Sequence, residues 1–205
     1  MTDPGPSRRA GRRGAAAAGL PRTGAAVLAA GAGSRFGAGT HKLLADFRGR
    51  PLVAWAVAHA QAAAIGEVAV VTGAVDLTPV LPGRVAVVAN PRWADGQATS
   101  LQAALGWARA EQLDVLVVGL GDQPLVPPEA WAAVAAADSP VAIATFGGRR
   151  RPPVRLAREV WPLLPTEGDA GARVLMARLP DMVGEVACPG DPLDVDRPED
   201  LAGPA

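Results

Sequence analysis

With 205 residues, 49% of them hydrophobic, and 20 basic side chains set against 20 acidic ones, the chain has the size and composition of one ordinary folded domain. The balanced charge gives no ground for a nucleic-acid partner, and no apolar run approaches the roughly 20 residues that a membrane span requires. Cys188 is the single cysteine, which leaves no intramolecular disulfide and no CxxC metal site and makes a reducing cytoplasm the expected compartment. Residues 1–22, rich in Gly, Pro, Ala and Arg and without apolar periodicity, read as a basic disordered arm in which Arg8, Arg9, Arg12, Arg13 and Arg22 face only Asp3. A twin-arginine export signal fits poorly, because Pro21, Arg22 and Thr23 break the apolar stretch after the alanines. Residues 23–205 read as the folded domain.

In chain order, residues 26–30 form a short apolar run with the length and flanks of a buried strand. A glycine-rich loop follows, and then a helix over 51–64 that opens on Pro51 and stops before Gly66. Strands are expected at 68–72 and 84–89, a helix at 97–111, and a continuous apolar strand at 115–119 that runs into Gly121 and Asp122. A helix at 127–137, a strand at 141–146, a basic segment at 147–156, a helix at 170–179 and a short helix at 198–201 complete the pattern. Strands alternating with helices predict an α/β fold: a single Rossmann-like three-layer sandwich around a mostly parallel sheet.

The loop after the first strand points to phosphate chemistry. Gly31, Gly33, Gly37 and Gly39 let backbone N–H groups turn toward an anion, and Arg35 and Lys42 add cations. Two better-known phosphate loops do not fit. A dinucleotide fingerprint needs glycine where Phe36 stands and an acid after the second strand, and a Walker loop needs Ser or Thr where Leu43 follows Lys42. Asp122 lies just past the carboxyl end of a buried strand, where open α/β sheets bind ligands. It suits either a turn or helix-cap role before Pro124 and the next helix, or a Mg²⁺ ligand, since Mg²⁺ takes one or two protein carboxylates and completes its shell with water and phosphates. A second carboxylate is expected from Asp194 or Asp196, which alternation in an extended segment places on one face. Glu199 and Asp200 suit the start of the short helix that follows.

Five blocks carry a family resemblance: LAAGAGSRFG with THKLL, NPRWADGQATSLQAAL, GDQPLV, GDAGARVLM and DVDRPEDL, spread in that order over residues 25–201. Together they resemble the MobA-like nucleotidyltransferases, and most closely the branch that transfers cytidylyl groups to the molybdenum cofactor. The resemblance implies a fold of the nucleotide-diphospho-sugar transferase type and an Mg²⁺-dependent transfer of a nucleotidyl group to a phosphorylated acceptor such as molybdopterin, with release of pyrophosphate. It implies nucleotide contacts at Leu28, Ala29, Ala30, Gly31, Gly33, Asn90, Gly96 and Ser100, cationic catalysis by Arg35 and Lys42, and metal ligation by Asp122 with Asp196 rather than Asp194. The LAAG opening and the GDQP motif go with CTP rather than GTP. The basic segment 147–156, with Arg149, Arg150 and Arg151, resembles the acceptor side. Two other functions fit the same blocks: nucleotidyl transfer to a sugar phosphate or another phosphorylated metabolite, and an NAD(P)H-dependent oxidoreductase role of the kind ascribed to some relatives.

Overall fold

Residues TGAAVLA form β1 (Thr23–Ala29), almost wholly buried, and small side chains on both faces suit a strand covered by helices on either side. In this computed structural model, residues 20–37 and 39–202 are described, Arg35 by its backbone alone, so residues 1–19 of the expected basic arm lie outside the described residues. After β1 come two single-turn 3-10 segments, Ser34–Phe36 and Lys42–Leu44, then a small hairpin of β2 (Asp46–Phe47) and β3 (Arg50–Pro51). Helix α1 (Leu52–Ala62), β4 (Glu67–Thr72), β5 (Ala86–Ala89), α2 (Gln97–Ala110), β6 (Val115–Leu120) and α3 (Pro128–Ala135) follow. The chain continues through β7 (Val141–Phe146), β8 (Arg149–Ala157), α4 (Ala172–Arg178) and β9 (Val183–Ala187), and a 3-10 turn at Pro198–Ala202 ends the described part.

The main sheet has seven strands in the order β5-β4-β1-β6-β8-β7-β9. Strands β5, β4, β1 and β6 pair in parallel, and so do β7 and β9, whereas β8 runs antiparallel between β6 and β7. Alternation along β1 divides the core. Ala25 and Val27 face a cluster with Leu52 and Val53 of α1 and Trp131 of α3, while Ala26 faces a cluster with Leu101 and Leu105 of α2 and with Trp161. Trp131 and Trp161 are each 2% exposed, and burying one such ring contributes on the order of 3 kcal/mol. Helices on both faces of the sheet make the three layers expected from the sequence.

Most expected elements appear within two or three residues of their sequence-based bounds. The basic segment 147–156 is different, because it is the strand β8. Gly147 and Gly148, both at positive φ, make the tight turn that folds it back along β7. Its pairing with β7 shifts register between Ile143 and Ala144, and that irregularity accommodates Pro152 and Pro153, which have no N–H to donate to a ladder. The short edge strand β9 was likewise not expected.

Candidate active site

From β1 the chain moves outward to β4 and β5, then returns to β6 on the other flank of β1. Adjacent strands whose connections leave in opposite directions open a crevice at their carboxyl ends. Leu28 is in register with Leu120, and Gly121 N–H donates to the Leu28 carbonyl at 2.9 Å, so the loop after β1 and Asp122 after β6 emerge side by side.

The loop is held at two points. Phe36 and Leu43, both buried, anchor its two turns to the core. His41 then ties the turns to the strand end: its Nδ1 accepts from Leu43 N–H at 3.3 Å, which places the ring proton on Nε2, 3.0 Å from the Gly31 carbonyl that accepts it. Lys42 enters the crevice directly from this anchor. Its stem runs against Gly33, where a Cβ would lie 3.0 Å from Lys42 Cγ.

Lys42 Nζ donates to Asp122 Oδ2 at 2.6 Å and to Asp196 Oδ1 at 3.1 Å. The two carboxylates therefore lie no farther apart than the sum of those distances, although 73 positions of chain separate them. Val195 N–H donates to the Asp122 carbonyl at 3.0 Å and fixes the late segment against the β6 end. Asp200 completes the support by accepting the Asp196 and Arg197 N–H groups at 2.9 and 2.8 Å, and these bonds, Arg197's first, hold its carboxyl below the ordinary carboxylate range. Burial of Lys42 opposes its charge, but the Asp122 and Asp196 carboxylates outweigh burial and raise its pKa above the usual lysine value.

A cavity of about 360 Å³ lies over this cluster. Residues 28–31, Gly33 and Lys42 line one side, Gly96 and Ser100 the other, with Asp122 and Asp196 between. Helix α2 directs its N-terminus here with no side-chain cap among the described residues, and its dipole favours an anion, although the Ala98 and Thr99 amides are already bonded to the Gly168 and Gly96 carbonyls. Gly96 itself is dictated by packing. Its φ is +105°, and a Cβ there would come within 2.6 Å of the Gly168 carbonyl and 2.8 Å of an Asp169 carboxylate oxygen. The segment 168–171 thus closes over the helix start, and Ala98 N–H donates to the Gly168 carbonyl at 2.9 Å.

Two of the candidate residues, Asn90 and Asp194, stand outside the lining of this cavity. Asn90 does not line the cavity: it is 4% exposed, and its side-chain amide donates to Thr99 and Ser100 hydroxyls, both at 3.0 Å, which orients Ser100 from behind. The Arg35 side chain lies outside the described ones. Asp194 turns away from Lys42, because Gln123 Nε2 donates to its Oδ1 at 2.8 Å. Burial, reinforced by the nearby Asp122, raises the Asp194 pKa against the opposing pull of that hydrogen bond. Asp169 and Arg173, one helical turn apart in the sequence, do not pair: Asp169 lines the Lys42 cavity and Arg173 a neighbouring one. His41, Gln123, Asp169 and Trp93 join the site without having been singled out for it. His41 and Gln123 sit inside the recognised blocks, directly beside Lys42 and Asp122, and that adjacency was the available signal.

The donor set fits a divalent cation. Two carboxylates already converge on one positive group, the Lys42 ammonium, which occupies the position such an ion would share with them. Among the described residues no group of three or more His, Cys, Asp and Glu stands close enough to hold a metal by itself, so an ion here would draw its remaining ligands from substrate and water.

A glycine-rich loop, a helix N-terminus and a lysine held between two carboxylates, gathered at the crevice of a doubly wound sheet, define a nucleotide-handling α/β protein. The sequence profile of the MobA-like NTP transferase domain matches residues 25–183. The chain belongs to that family and is a nucleotidyltransferase. No curated protein matches the sequence. Among solved structures, a Mycobacterium sp. strain JC1 homologue of the M. tuberculosis protein Rv0371c is 26% identical with TM-score 0.77, covering 88% of this chain and 96% of its own. Rv0371c itself, solved in complex with manganese, is 22% identical with TM-score 0.70 over 88% and 96% of the two chains. A Methanothermobacter nucleotidyl transferase is 25% identical with TM-score 0.73, covering 90% and 95%. The T. maritima inositol-1-phosphate CTP transferase shares the fold at 18% identity and TM-score 0.69, covering 89% and 92%.

Proposed function

We propose that the protein transfers CMP from CTP to a phosphorylated acceptor, molybdopterin or its metal-loaded form, and releases pyrophosphate. The observation that carries this reading is the Lys42 ammonium between Asp122 and Asp196, beneath the glycine loop and facing the start of α2. CTP is favoured by the LAAG opening at residues 28–31 and the GDQP motif at 121–124, and the T. maritima neighbour is itself a CTP transferase. The molybdopterin acceptor is supported by the blocks at residues 90–105 and 168–176.

The chemistry needs no dedicated base. A phosphate monoester is ionised near neutral pH, its second pKa being about 6, so one acceptor oxygen attacks the α-phosphorus in line. A bond forms between that oxygen and phosphorus, the bond to the β-phosphoryl oxygen breaks, and pyrophosphate leaves with the electron pair. Loop N–H groups, residues 28–31 and Gly33 hold the triphosphate, and Arg35 and Lys42 stabilise the charge that grows on the departing pyrophosphate. Asp122 and Asp196 would hold a magnesium or manganese ion, which would neutralise phosphate charge when bound; the Rv0371c structure is a complex with manganese. Gly96 and Ser100 face the nucleoside, and Asn90 positions Ser100. Among the described residues no helix is long and apolar enough to cross a membrane, and we place the enzyme in the cytoplasm.

Incubation with each labelled nucleoside triphosphate, Mg²⁺ and candidate acceptors, followed by pyrophosphate release, tests this reading. CTP with molybdopterin should give acceptor-dependent release that Asp122→Asn abolishes. Release from no triphosphate with any acceptor, or equal release by Asp122→Asn, would overturn it.

A further inference from the structure

Two successive peptide linkages after β1 are held from outside the Lys42 cavity. The Ala30 carbonyl accepts from Ala74 N–H at 3.0 Å, and the Gly31 carbonyl accepts from His41 Nε2 at 3.0 Å. Neither Ala74 nor His41 lines the cavity, whereas Ala30, Gly31 and Ala32 do. In a planar trans peptide the C=O and the N–H of one linkage point in opposite directions. Two carbonyls turned away from the cavity therefore turn the Gly31 and Ala32 N–H groups toward it, and among the described residues neither N–H meets a protein acceptor. The second linkage would not keep this direction by itself, because Gly31 has no Cβ to restrict the rotation of the peptide that follows it.

We propose that His41 is a positioning residue for the triphosphate: its Nε2–H fixes the Gly31–Ala32 peptide so that Ala32 N–H donates to a phosphate oxygen of the bound nucleotide. The inference rests on the nucleotidyltransferase reading above and adds to it a side chain that touches neither substrate nor metal. Imidazole suits the task because it makes two unlike bonds at once. Nδ1 accepts from Leu43 N–H at 3.3 Å and caps the turn that carries Lys42, which leaves the ring proton on Nε2 for the Gly31 carbonyl. One ring thus sets the Ala32 amide and the Lys42 turn relative to each other. A donor already aimed at the phosphate needs no reorganisation when charge grows there.

Side-chain length separates the two bonds. His41→Asn keeps an acceptor for Leu43 N–H, as asparagine does at helix starts, but its amide stops short of Gly31. His41→Gln carries an amide donor as far out as Nε2 and gives up the acceptor at Nδ1. Calorimetric titration of each protein with inorganic triphosphate, CTP and cytidine, all with Mg²⁺, reads the consequence. His41→Asn should weaken inorganic triphosphate and CTP about tenfold, as the loss of one hydrogen bond to a charged group does, and leave cytidine unchanged. His41→Gln should stay within about threefold of the unaltered protein for all three. In the ¹⁵N-labelled unaltered protein, the Ala32 amide proton should move downfield when inorganic triphosphate binds; should His41→Asn fail to fold, this signal decides alone. Triphosphate binding that leaves the Ala32 amide unmoved, triphosphate affinity kept by His41→Asn or lost equally by His41→Gln, or cytidine weakened as much as CTP would each overturn the positioning role. Failure of the unaltered protein to bind either CTP or inorganic triphosphate would overturn the nucleotidyltransferase reading instead.

Discussion

Lys42 does two jobs that pull in different directions. In the structure its ammonium is shared between Asp122 and Asp196, with the three side chains 12%, 21% and 30% exposed, while the proposed chemistry needs the same charge on the triphosphate. At about 4 Å and an effective dielectric constant near 20, one unit charge is worth about 4 kcal/mol to a neighbour, so the resident ammonium is a strong competitor for any ion entering between the aspartates. Lys42→Met keeps the length of the stem and removes the charge. We expect the variant to bind Mn²⁺ roughly tenfold or more tightly in the absence of nucleotide and to turn over about 100-fold more slowly. Electron paramagnetic resonance titration of free Mn²⁺ reads the first effect, and pyrophosphate release the second. Equal Mn²⁺ affinity in both proteins would show that Lys42 does not contest the site.

Among the elements, α2 shows how packing and binding constrain one residue together. Gly96 starts the helix at φ +105° and leaves no room for a Cβ beneath Gly168 and Asp169. Gly96→Ala should therefore displace the segment 168–171, break the Ala98–Gly168 hydrogen bond, and cost about 1–3 kcal/mol of stability. The Km for CTP should rise with it, and a variant with lowered melting temperature but unchanged Km would separate the loop from the nucleotide. Helix α1 carries a different signature. His59 Nδ1 is buried without a partner among the described residues, and burial, assisted by the Arg50 charge, lowers the His59 pKa against the opposing pull of Val126 and Glu129. The unfolded chain, with histidine near its ordinary value of about 6.5, takes up the proton first as pH falls. Stability is thus undiminished above that value and declines as pH drops through it toward the folded value. Urea midpoints at pH 7.5 and 5.5 should differ less for His59→Leu than for the unaltered protein, and an equal loss in both would locate the acid sensitivity elsewhere.

The same elements show why the sequence was legible in some places and opaque in others. β1, β4 and β6 are continuous apolar runs because they are buried on both faces, and such runs need no tertiary knowledge to recognise. β8 begins Arg-Arg-Arg-Pro-Pro, and its first three residues are exposed while its last five are buried, so half of it carries no strand pattern at all. At the site, Lys42 and Asp122 were legible because a loop and a strand end each carry a local signature. Asn90 was not, since its buried amide is committed to hydroxyls on α2, a contact that only the folded chain makes. Asp169 takes its place beside the start of α2 from a segment that meets it across a long stretch of chain.

For the molecule as a whole, the crevice joins parts of the sheet that otherwise meet only through β1 and β6: the glycine loop leaves β1, Asp122 follows β6, and Asp196 arrives from beyond β9. A ligand bound to all three stabilises the folded chain and not the unfolded one. At a concentration 100 times its Kd, such a ligand adds about 2.7 kcal/mol, and for a domain of this length each kcal/mol moves the melting temperature by about 2–4 °C. CTP with Mg²⁺ should therefore raise the melting temperature by about 5–10 °C. Chelation with EDTA should remove most of that rise, because the triphosphate then meets Asp122 and Asp196 without an intervening metal ion. GTP should give a smaller shift than CTP at equal concentration. A shift that survives EDTA in full would mean that the nucleotide is held by the loop and the α2 terminus alone, and that the aspartate pair serves Lys42 rather than a metal.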